Sequence, residues 1–319
     1  MSCPVCLNPS TVHALSGTDT LFQTTRKQFD LHACRSCDCL FLHPLPPREE
    51  IDSFYPEQYW WSSAKPTFLK KLESIYRKIA LSDHLSFISN AASRIEGRGV
   101  RLLDVGCGSG TLIGLLKRRG FDVLGVDTSQ EASHVAHLEN EVRVVVGTLD
   151  QAEFEAESFD MVTLFHVMEH VTNPRRVLSE VARVLKSNGI VILQVPNIDS
   201  WQFRWFGAKW YGLDIPRHVI DYSRNAIIKL SGDAGFTVRR VRQFNLRDNA
   251  PALISSMFPS LDPLSRPIRL RRSNATESSL LAWTKHLTYL ALVIIAYPIV
   301  MLEAAFGHGA TVMIEAHKK

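Results

Sequence analysis

Three groups of residues in this chain have the types and spacing to do chemistry. The first is Asp104, the glycine-rich run Gly106-Cys107-Gly108-Ser109-Gly110, and a second carboxylate at Asp127. Glycine permits positive φ and lets a ligand approach the backbone closely. Free N–H groups at a helix start add partial positive charge. Such a loop suits a nucleotide-like ligand. The spacing G-x-G-x-G misses the dinucleotide fingerprint, which would need glycine at Thr111. No Gly-Lys-Ser/Thr follows to make a Walker phosphate loop. An acid such as Asp127 at the tip of the next strand can accept two ribose hydroxyl hydrogen bonds, and its charge strengthens them. The bland alternatives are a ligand-free turn for the loop, a helix N-cap for Asp104 and a solvated strand end for Asp127.

The second group is acid–base. His166, Glu169 and His170 fall at i, i+3 and i+4, which shares one face if the segment is helical. His218 follows in Ile215-Pro216-Arg217-His218. Histidine titrates near neutrality and is the default proton acceptor. A divalent cation on His166, Glu169 and His170 is also chemically allowed. A structural tie for Glu169–His170 and a shelf role without proton transfer for His166 stand beside these readings.

The third group is cysteine. Cys3-Pro4-Val5-Cys6 and Cys34-Arg35-Ser36-Cys37 are two C-x-x-C knuckles. Together they offer four thiolates, the closed tetrahedral set of a structural zinc site. Disulfides or free thiols are the rivals. No apolar signal segment precedes Cys3, so a reducing, cytoplasmic setting is expected. Cys39 reads as a small buried hydrophobe. Cys107 reads as a small filler within the ligand loop rather than a nucleophile.

These groups need a scaffold, and the hydrophobic pattern supplies one. Leu102-Leu103 leads into Asp104, Phe121–Asp127 forms a second strand, and Val142–Gly147 a third ending near Leu149 and Asp150. Phe159–Phe165 is a fourth strand running into His166. A helix follows Pro174, with apolar Val177, Leu178, Val181, Val184 and Leu185, and Asn188-Gly189 breaks it. Ile190–Val195 is a fifth strand, stopped by Pro196-Asn197. Residues 235–245 and 310–316 read as strands six and seven. Residues 60–98 read as helix, with apolar Phe68, Leu69, Leu72, Ile75, Tyr76 and Ile79. Strands alternating with helices predict an α/β sheet.

Asp104 to Gly110, Asp127, the Phe159-Asp160 strand, His166-x-x-Glu169-His170, Arg183-Val184-Leu185-Lys186-x-x-Gly189 and Pro196-Asn197 together resemble class I S-adenosylmethionine-dependent methyltransferases. The nearest likeness is to the group that includes the ubiquinone and menaquinone biosynthesis methyltransferases. It runs roughly from Val100 to Phe244 and resumes in the final strand. The resemblance implies a Rossmann-like seven-stranded sheet with the last strand antiparallel and S-adenosylmethionine as cofactor; the fold hosts many acceptors, and a small molecule such as a lipid or sugar nucleotide is the expectation here. The resemblance also implies that Asp104, Gly106 and Gly108 flank the methionine part, with Cys107 and Gly110 in the same loop. Asp127 would hold the ribose, and Thr128, Leu149 and Asp150 would lie beside the adenine. His166 would sit near the sulfonium, and the Pro-x-His segment of His218 near the acceptor. The knuckles, Phe41–Pro47 and Tyr55-Pro56-Glu57-Gln58-Tyr59 look like the amino-terminal module of some members. The implied organisation is a zinc ribbon at 1–47, a helical linker or lid at 48–98, a core at 99–249 and 307–319, and an apolar helical insertion at 250–306.

The chain has 319 residues, 45% of them hydrophobic, and a net charge of +4. It is long enough to bury a sizeable core, and its mild charge gives no argument for nucleic acid. The insertion carries apolar Leu253–Leu264, then Arg266, Arg269, Arg271 and Arg272, then apolar Leu287–Leu302 interrupted by Pro298. That last run is shorter than the ~20 residues of a bilayer span. Both flanking strands return to one sheet, so a single crossing is excluded. Residues 250–305 are expected to lie in a membrane interface at its cytoplasmic face, with Trp283, Tyr289 and Tyr297 at headgroup depth. A dimer interface or a core cover would also account for them, and the oligomeric state stays open. The aromatic cluster Trp201, Phe203, Trp205, Phe206, Trp210 and Tyr211 suits an acceptor pocket or the small core of a lid. Rival functions are a catalytically silent cofactor-binding scaffold, and an RNA or protein methyltransferase that grips its substrate through the ribbon. Phe165-His166-Val167-Met168 occupies the place where amino-methylating enzymes carry an Asn-Pro-Pro-Tyr motif.

Overall fold

The computed structural model describes residues 2–56, 79–95 and 99–319. Phe68, Leu69, Leu72, Ile75 and Tyr76, and with them most of the expected helical linker, lie outside the described residues. Of the 48–98 segment, the described helices are Arg48–Ser53 and Ser82–Ala92.

The amino-terminal strands are β1 (Thr11–Thr18), β2 (Gln28–Cys34) and β3 (Leu40–Leu42). The core strands follow: β4 (Arg101–Val105), β5 (Asp122–Asp127), β6 (Val144–Val146), β7 (Phe159–Phe165) and β8 (Leu185–Pro196). After these come β9 (Ile220–Asp221), β10 (Phe236–Arg242) and β11 (Thr311–Lys318). Seven of them form one sheet in the order β10-β11-β8-β7-β4-β5-β6. β4, β5, β6, β7 and β8 are parallel to one another, while β11 runs antiparallel to both β8 and β10. The sheet is therefore the Rossmann-like, seven-stranded arrangement with an antiparallel last strand. Leu102, Leu103, Met161, Val162, Leu164 and Ile190–Leu193 are buried, as central strands covered on both faces require.

The chain winds outward from β4 through β5 to β6, then returns to place β7 on the other side of β4. Strand order reverses between β4 and β7, and open α/β sheets bind ligands at the carboxyl ends of the strands flanking such a point. Asp104 lies near the end of β4, and His166 directly follows β7.

Two local expectations need correction. Asn188-Gly189 does not end the helix, which stops at Val184. Asn188 instead adopts φ 62° inside β8. There the pairing with β7 skips from Leu185 to Ile190, so the polar Lys186–Gly189 segment bulges from the strand. Pro298 does not interrupt the apolar run either. It sits inside a continuous 27-residue helix, Ser279–Ala305, long enough to cross a bilayer by length and composition.

A second sheet joins the amino-terminal module to the core. Its order is β1-β2-β3-β9, with Leu40 opposite Asp221 and Phe41 opposite Ile220. The module thus shares backbone hydrogen bonding with the segment that carries His218.

Candidate active site

The glycine loop begins where β4 ends. Gly106, Gly108 and Gly110 have φ of 70°, 52° and 68°. A Cβ on Gly106 would lie 2.5 Å from Val167 Cγ2, and one on Gly110 would lie 2.6 Å from Val142 Cγ2. Packing therefore demands both glycines. A Cβ on Gly108 would meet nothing within 4 Å, so the middle glycine faces open space that a ligand can occupy. Asp127 fastens the loop from the next strand: Gly108 N–H donates to its Oδ2 at 2.8 Å and Ser129 N–H to its Oδ1 at 2.9 Å. A carboxylate has about four acceptor sites, so capacity for two ribose hydroxyls remains.

Asp104 is buried beneath the loop, and Thr163 Oγ1 donates to its Oδ1 at 2.6 Å. Burial pushes the carboxyl up to about 7, against that hydrogen bond. Cys107 packs its Sγ where a side chain on Gly125 would otherwise stand, and burial raises its thiol pKa far above the ordinary range. Its side chain fills the space beside Gly125. Leu149 is buried, whereas Thr128 is exposed at the end of β5. Asp150 is exposed and held by Arg176 at 2.8 Å and Thr148 at 2.7 Å.

The segment after β7 is not an α-helix. His166 takes a left-handed conformation, φ 57°, and only Met168–His170 form a short 3-10 turn. The expected shared face is therefore absent, and the two histidines part company with Glu169 between them. His166 Nδ1 lies 3.1 Å from Glu169 Oε1, and Nε2 lies 3.2 Å from Asp248 Oδ2. Burial opposes a charged His166, but Asp248 and Glu169 outweigh it and raise its pKa to about 9. The two carboxylates thus favour the charged imidazole, while Gln194 Nε2 also stands 2.8 Å from His166 Nε2. Behind it, Gln194 Nε2 donates to Asp248 Oδ2 at 2.7 Å, and Gln194 Oε1 meets His84 Nε2 at 2.8 Å. Asp248, Gln194 and His84 were not singled out in the sequence.

His170 turns the other way. Its ring sits 4.7 Å from that of His218, and its Nδ1 lies 3.0 Å from the Arg217 carbonyl and 3.1 Å from Tyr55 Oη. Burial, reinforced by His218, holds His170 down at about 4, so it is neutral. Glu169, His170 and His218 bring one ligating atom each within 4.8 Å of one another. This is a different trio from the expected His166, Glu169 and His170. Glu169 Oε2 is buried with no hydrogen-bond partner. His218 Nδ1 lies 3.0 Å from the Gly212 carbonyl and 3.6 Å from Asp221 Oδ1. Burial opposes its charged form, yet Asp221 and Glu169 raise its pKa overall. Arg217 beside it is fully buried, bridging Asp214 at 2.6 Å and Asp19 at 2.8 Å.

The cysteines converge as well. One Sγ each from Cys3, Cys6, Cys34 and Cys37 lies within 4.8 Å of the others. The two knuckles match: Leu7 and Asp38 each follow a second cysteine with φ near 60°, at 62° and 59°. Leu7 N–H donates to the Cys3 carbonyl and Asp38 N–H to the Cys34 carbonyl, both at 2.9 Å. The separation of the pairs is absorbed by the β1–β2 hairpin. Cys39 is buried, as expected, yet its Sγ also touches Cys3 at 3.3 Å and Cys37 at 3.5 Å.

The aromatic cluster divides. Trp210 is buried against Phe203 and donates to Gln202 Oε1 at 3.4 Å, a small core of its own. Trp201 stacks on Phe306 and His308, and Trp205 is exposed.

A family model described as a methyltransferase domain matches residues 74–241. Among curated relatives, the ubiquinone biosynthesis O-methyltransferase of Alkalilimnicola ehrlichii is 34% identical over 148 residues, 44% of this chain and 59% of that protein. The Hahella chejuensis protein of the same name is 37% identical over 183 residues, 55% of this chain and 73% of that protein. Most of these matches span about three fifths of the relatives' length, 59% and 62% in two of them. Among solved structures, a SAM-dependent methyltransferase from Archaeoglobus fulgidus is 17% identical with a TM-score of 0.48, covering 79% of this chain and all of the other.

Proposed function

The chain belongs to the class I S-adenosylmethionine-dependent methyltransferases, and we propose that it methylates a hydroxyl of a small lipid-like acceptor at a membrane surface. The observation that carries this reading is the juxtaposition at the switch point. The Asp104–Gly110 loop closes one side, and the Glu169, His170 and His218 cluster lies beyond the end of β7. S-adenosylmethionine supplies an activated methyl on a sulfonium. The residues present fit it, with open space over Gly108, spare acceptor capacity on Asp127 and a buried carboxyl at Asp104.

Since the donor is already activated, the protein's task is orientation, exclusion of water and removal of one proton. His166, protonated between Glu169 and Asp248, adds one positive charge to two negative ones. The surplus negative charge suits a neighbouring sulfonium. His218 fits the role of base. Its Nδ1–H points to the Gly212 carbonyl, which leaves Nε2 as the acceptor, and Asp221 supports the imidazolium that forms. Asp104 to Gly110, Asp127, Thr128, Leu149 and Asp150 remain the cofactor set under this proposal. Cys3, Cys6, Cys34 and Cys37 would hold a structural zinc ion with no open coordination position.

The membrane part rests on the helix Ser279–Ala305. A narrow stripe of it, Tyr289, Val293, Ala296, Val300 and Glu303, is buried. Tyr289 meets Ser255 at 3.1 Å, Tyr297 donates to the Leu246 carbonyl at 2.8 Å, and Gln202 donates to Glu303 at 3.0 Å. The helix is tied to the body along its length, which argues for lying on a bilayer rather than crossing it. Leu287, Ile294, Ile295, Ile299 and Leu302 remain about half exposed or more, a contiguous apolar surface of the kind that marks an interaction site.

The test is incubation with labelled S-adenosylmethionine and extracts separated into lipid, sugar-nucleotide, protein and RNA fractions. Label in the lipid fraction is expected. Label confined to protein or RNA would overturn the acceptor class, and bound cofactor without turnover would favour a silent scaffold. Sedimentation with anionic liposomes, with and without residues 250–305, checks the membrane reading. Equal recovery in the supernatant would sink it.

A further inference from the structure

The β1–β2 connection crosses onto the insertion's basic helix, Ser265–Arg272. Ile268 packs there with Leu21 and Phe22. Arg269 Nη1 donates to the Leu21 carbonyl at 2.6 Å, and Arg272 Nη2 to the Thr24 carbonyl at 3.3 Å. Two cavities open along this seam, of about 710 and 230 Å³, and they share Gln23, Arg269 and Ser273 as walls. The larger is also walled by Arg26 and Arg272, the smaller by Arg266 and Lys285.

Cations outnumber carboxylates along this seam, even with the buried Asp262 beside Arg269 counted. Among the described residues, Asp19 is the one carboxylate in the wall of the larger cavity, and Arg217 already clamps it through bonds of 2.8 and 3.0 Å. Glu277 serves two cations, Lys285 at 2.8 Å and Arg266 at 3.5 Å. Arg266 is more than nine-tenths buried; Glu277 reaches its Nε at ion-pair distance without a hydrogen bond, and its Nη1 has no hydrogen-bond partner. A buried guanidinium with unmet donors is costly unless an anion completes it.

We propose that this cleft is a binding site for a phosphate or diphosphate group. Arginine's planar fork matches phosphate oxygens in pairs. Cations here approach from a loop and from two helices, which suits an anion with oxygens in several directions better than a planar carboxylate. The threonine hydroxyls of Thr20 and Thr25 on the same walls add neutral donors. The combined volume falls within the roughly 300–1,000 Å³ of small-ligand sites, so a diphosphate with part of its attached group fits. Lys285 stands in the first turns of the exposed apolar helix, which puts the cleft where a phosphorylated headgroup would meet the protein. The phosphate can belong to such a headgroup or to a soluble diphosphate compound; the recognition chemistry is the same. The inference stands apart from methyl transfer, since it concerns binding at a separate seam.

The test is calorimetric titration of the full chain with inorganic pyrophosphate at fixed ionic strength. Saturable binding is expected. Arg26→Gln and Arg272→Gln change exposed side chains, and each should weaken binding by about tenfold, the loss of one charge-assisted contact. Arg266→Lys keeps the charge but not the fork and should weaken it similarly. Absence of saturable binding, or equal affinity in all three variants with unchanged melting temperatures, would overturn the proposal. Titration of the same variants with S-adenosylmethionine should be unaltered, so failure here and failure of the methyltransferase reading remain distinguishable. Release of the protein from phosphatidylglycerol vesicles by pyrophosphate assigns the site to a lipid headgroup. Saturable pyrophosphate binding without release assigns it to a soluble diphosphate. A short RNA that binds more tightly than pyrophosphate and is lost in the same variants would overturn the small-anion reading in favour of nucleic acid.

Discussion

His166 Nε2 lies 3.2 Å from the Asp248 carboxylate, although the two residues are 82 positions apart. The contact joins the tip of β7 to the residue just before the helix Asn249–Met257. It ties the start of the insertion to the centre of the sheet and keeps His166 charged.

Stability should therefore depend on pH through this pair. The folded-state pKa of His166 is raised to about 9, above an unfolded value of about 6.5. A raised pKa contributes stability that is fully present below the unfolded value and is lost as pH rises through the folded one. Melting temperature should fall between about pH 6.5 and 9. Asp248→Asn should flatten that slope and lower stability at pH 7. Parallel melting curves for wild type and variant across this range would refute the pairing.

The three loop glycines should respond differently to alanine. Gly106→Ala and Gly110→Ala place a Cβ 2.5 and 2.6 Å from neighbouring side chains. Each should cost about 1–3 kcal/mol by overpacking, added to the strain of a left-handed alanine. Gly108→Ala meets open space, so it should lose only about 1–2 kcal/mol of backbone preference while weakening S-adenosylmethionine binding. Thermal melts and cofactor titration separate these outcomes. Equal melting temperatures in all three would show that packing does not fix the outer glycines.

The loop was legible in the sequence because its determinants are local. Alternating glycines after an apolar strand encode a turn, and Asp127 follows after one strand–helix–strand interval. The His166 environment was not legible, because Asp248 and Gln194 reach it from distant segments. Gln194 did leave a trace, as a lone polar residue in the apolar Ile190–Val195 run, and its side chain is fully buried. Asp248 left none. The i, i+4 reading of His166 and His170 failed because it assumed a helix. The backbone instead turns left-handed at His166, a conformation in which histidine is enriched among non-glycine residues.

Cysteine substitutions should sort the five clustered thiols. Cys37→Ala removes one of the four converging sulfurs and should abolish stoichiometric zinc and lower the melting temperature. Cys39→Ala should retain zinc, since Cys39 stands outside the two matched knuckles. Metal analysis of purified variants reads this directly. Zinc lost from Cys39→Ala but kept in Cys37→Ala would exchange the two assignments.

His218 and Asp221 should act as a pair. His218 Nδ1 lies 3.6 Å from Asp221 Oδ1, an ion-pair contact longer than a hydrogen bond. Burial lifts Asp221 to about 6, so it is largely ionised at neutral pH. His218→Ala should lower turnover by about 10²-fold or more, the usual contribution of a general base, while cofactor affinity stays nearly constant. Asp221→Asn removes a charge that raises the His218 pKa. The acid limb of the rate profile should then move to lower pH, and the plateau should fall because the imidazolium loses its counter-charge. A purely structural Asp221 would reduce stability and leave the limb where it was. An unchanged turnover in His218→Ala would remove that residue from the chemistry. The proton would then go to Glu169, whose Oε2 is buried and unpartnered in the same cluster, or to the neutral His170 beside it.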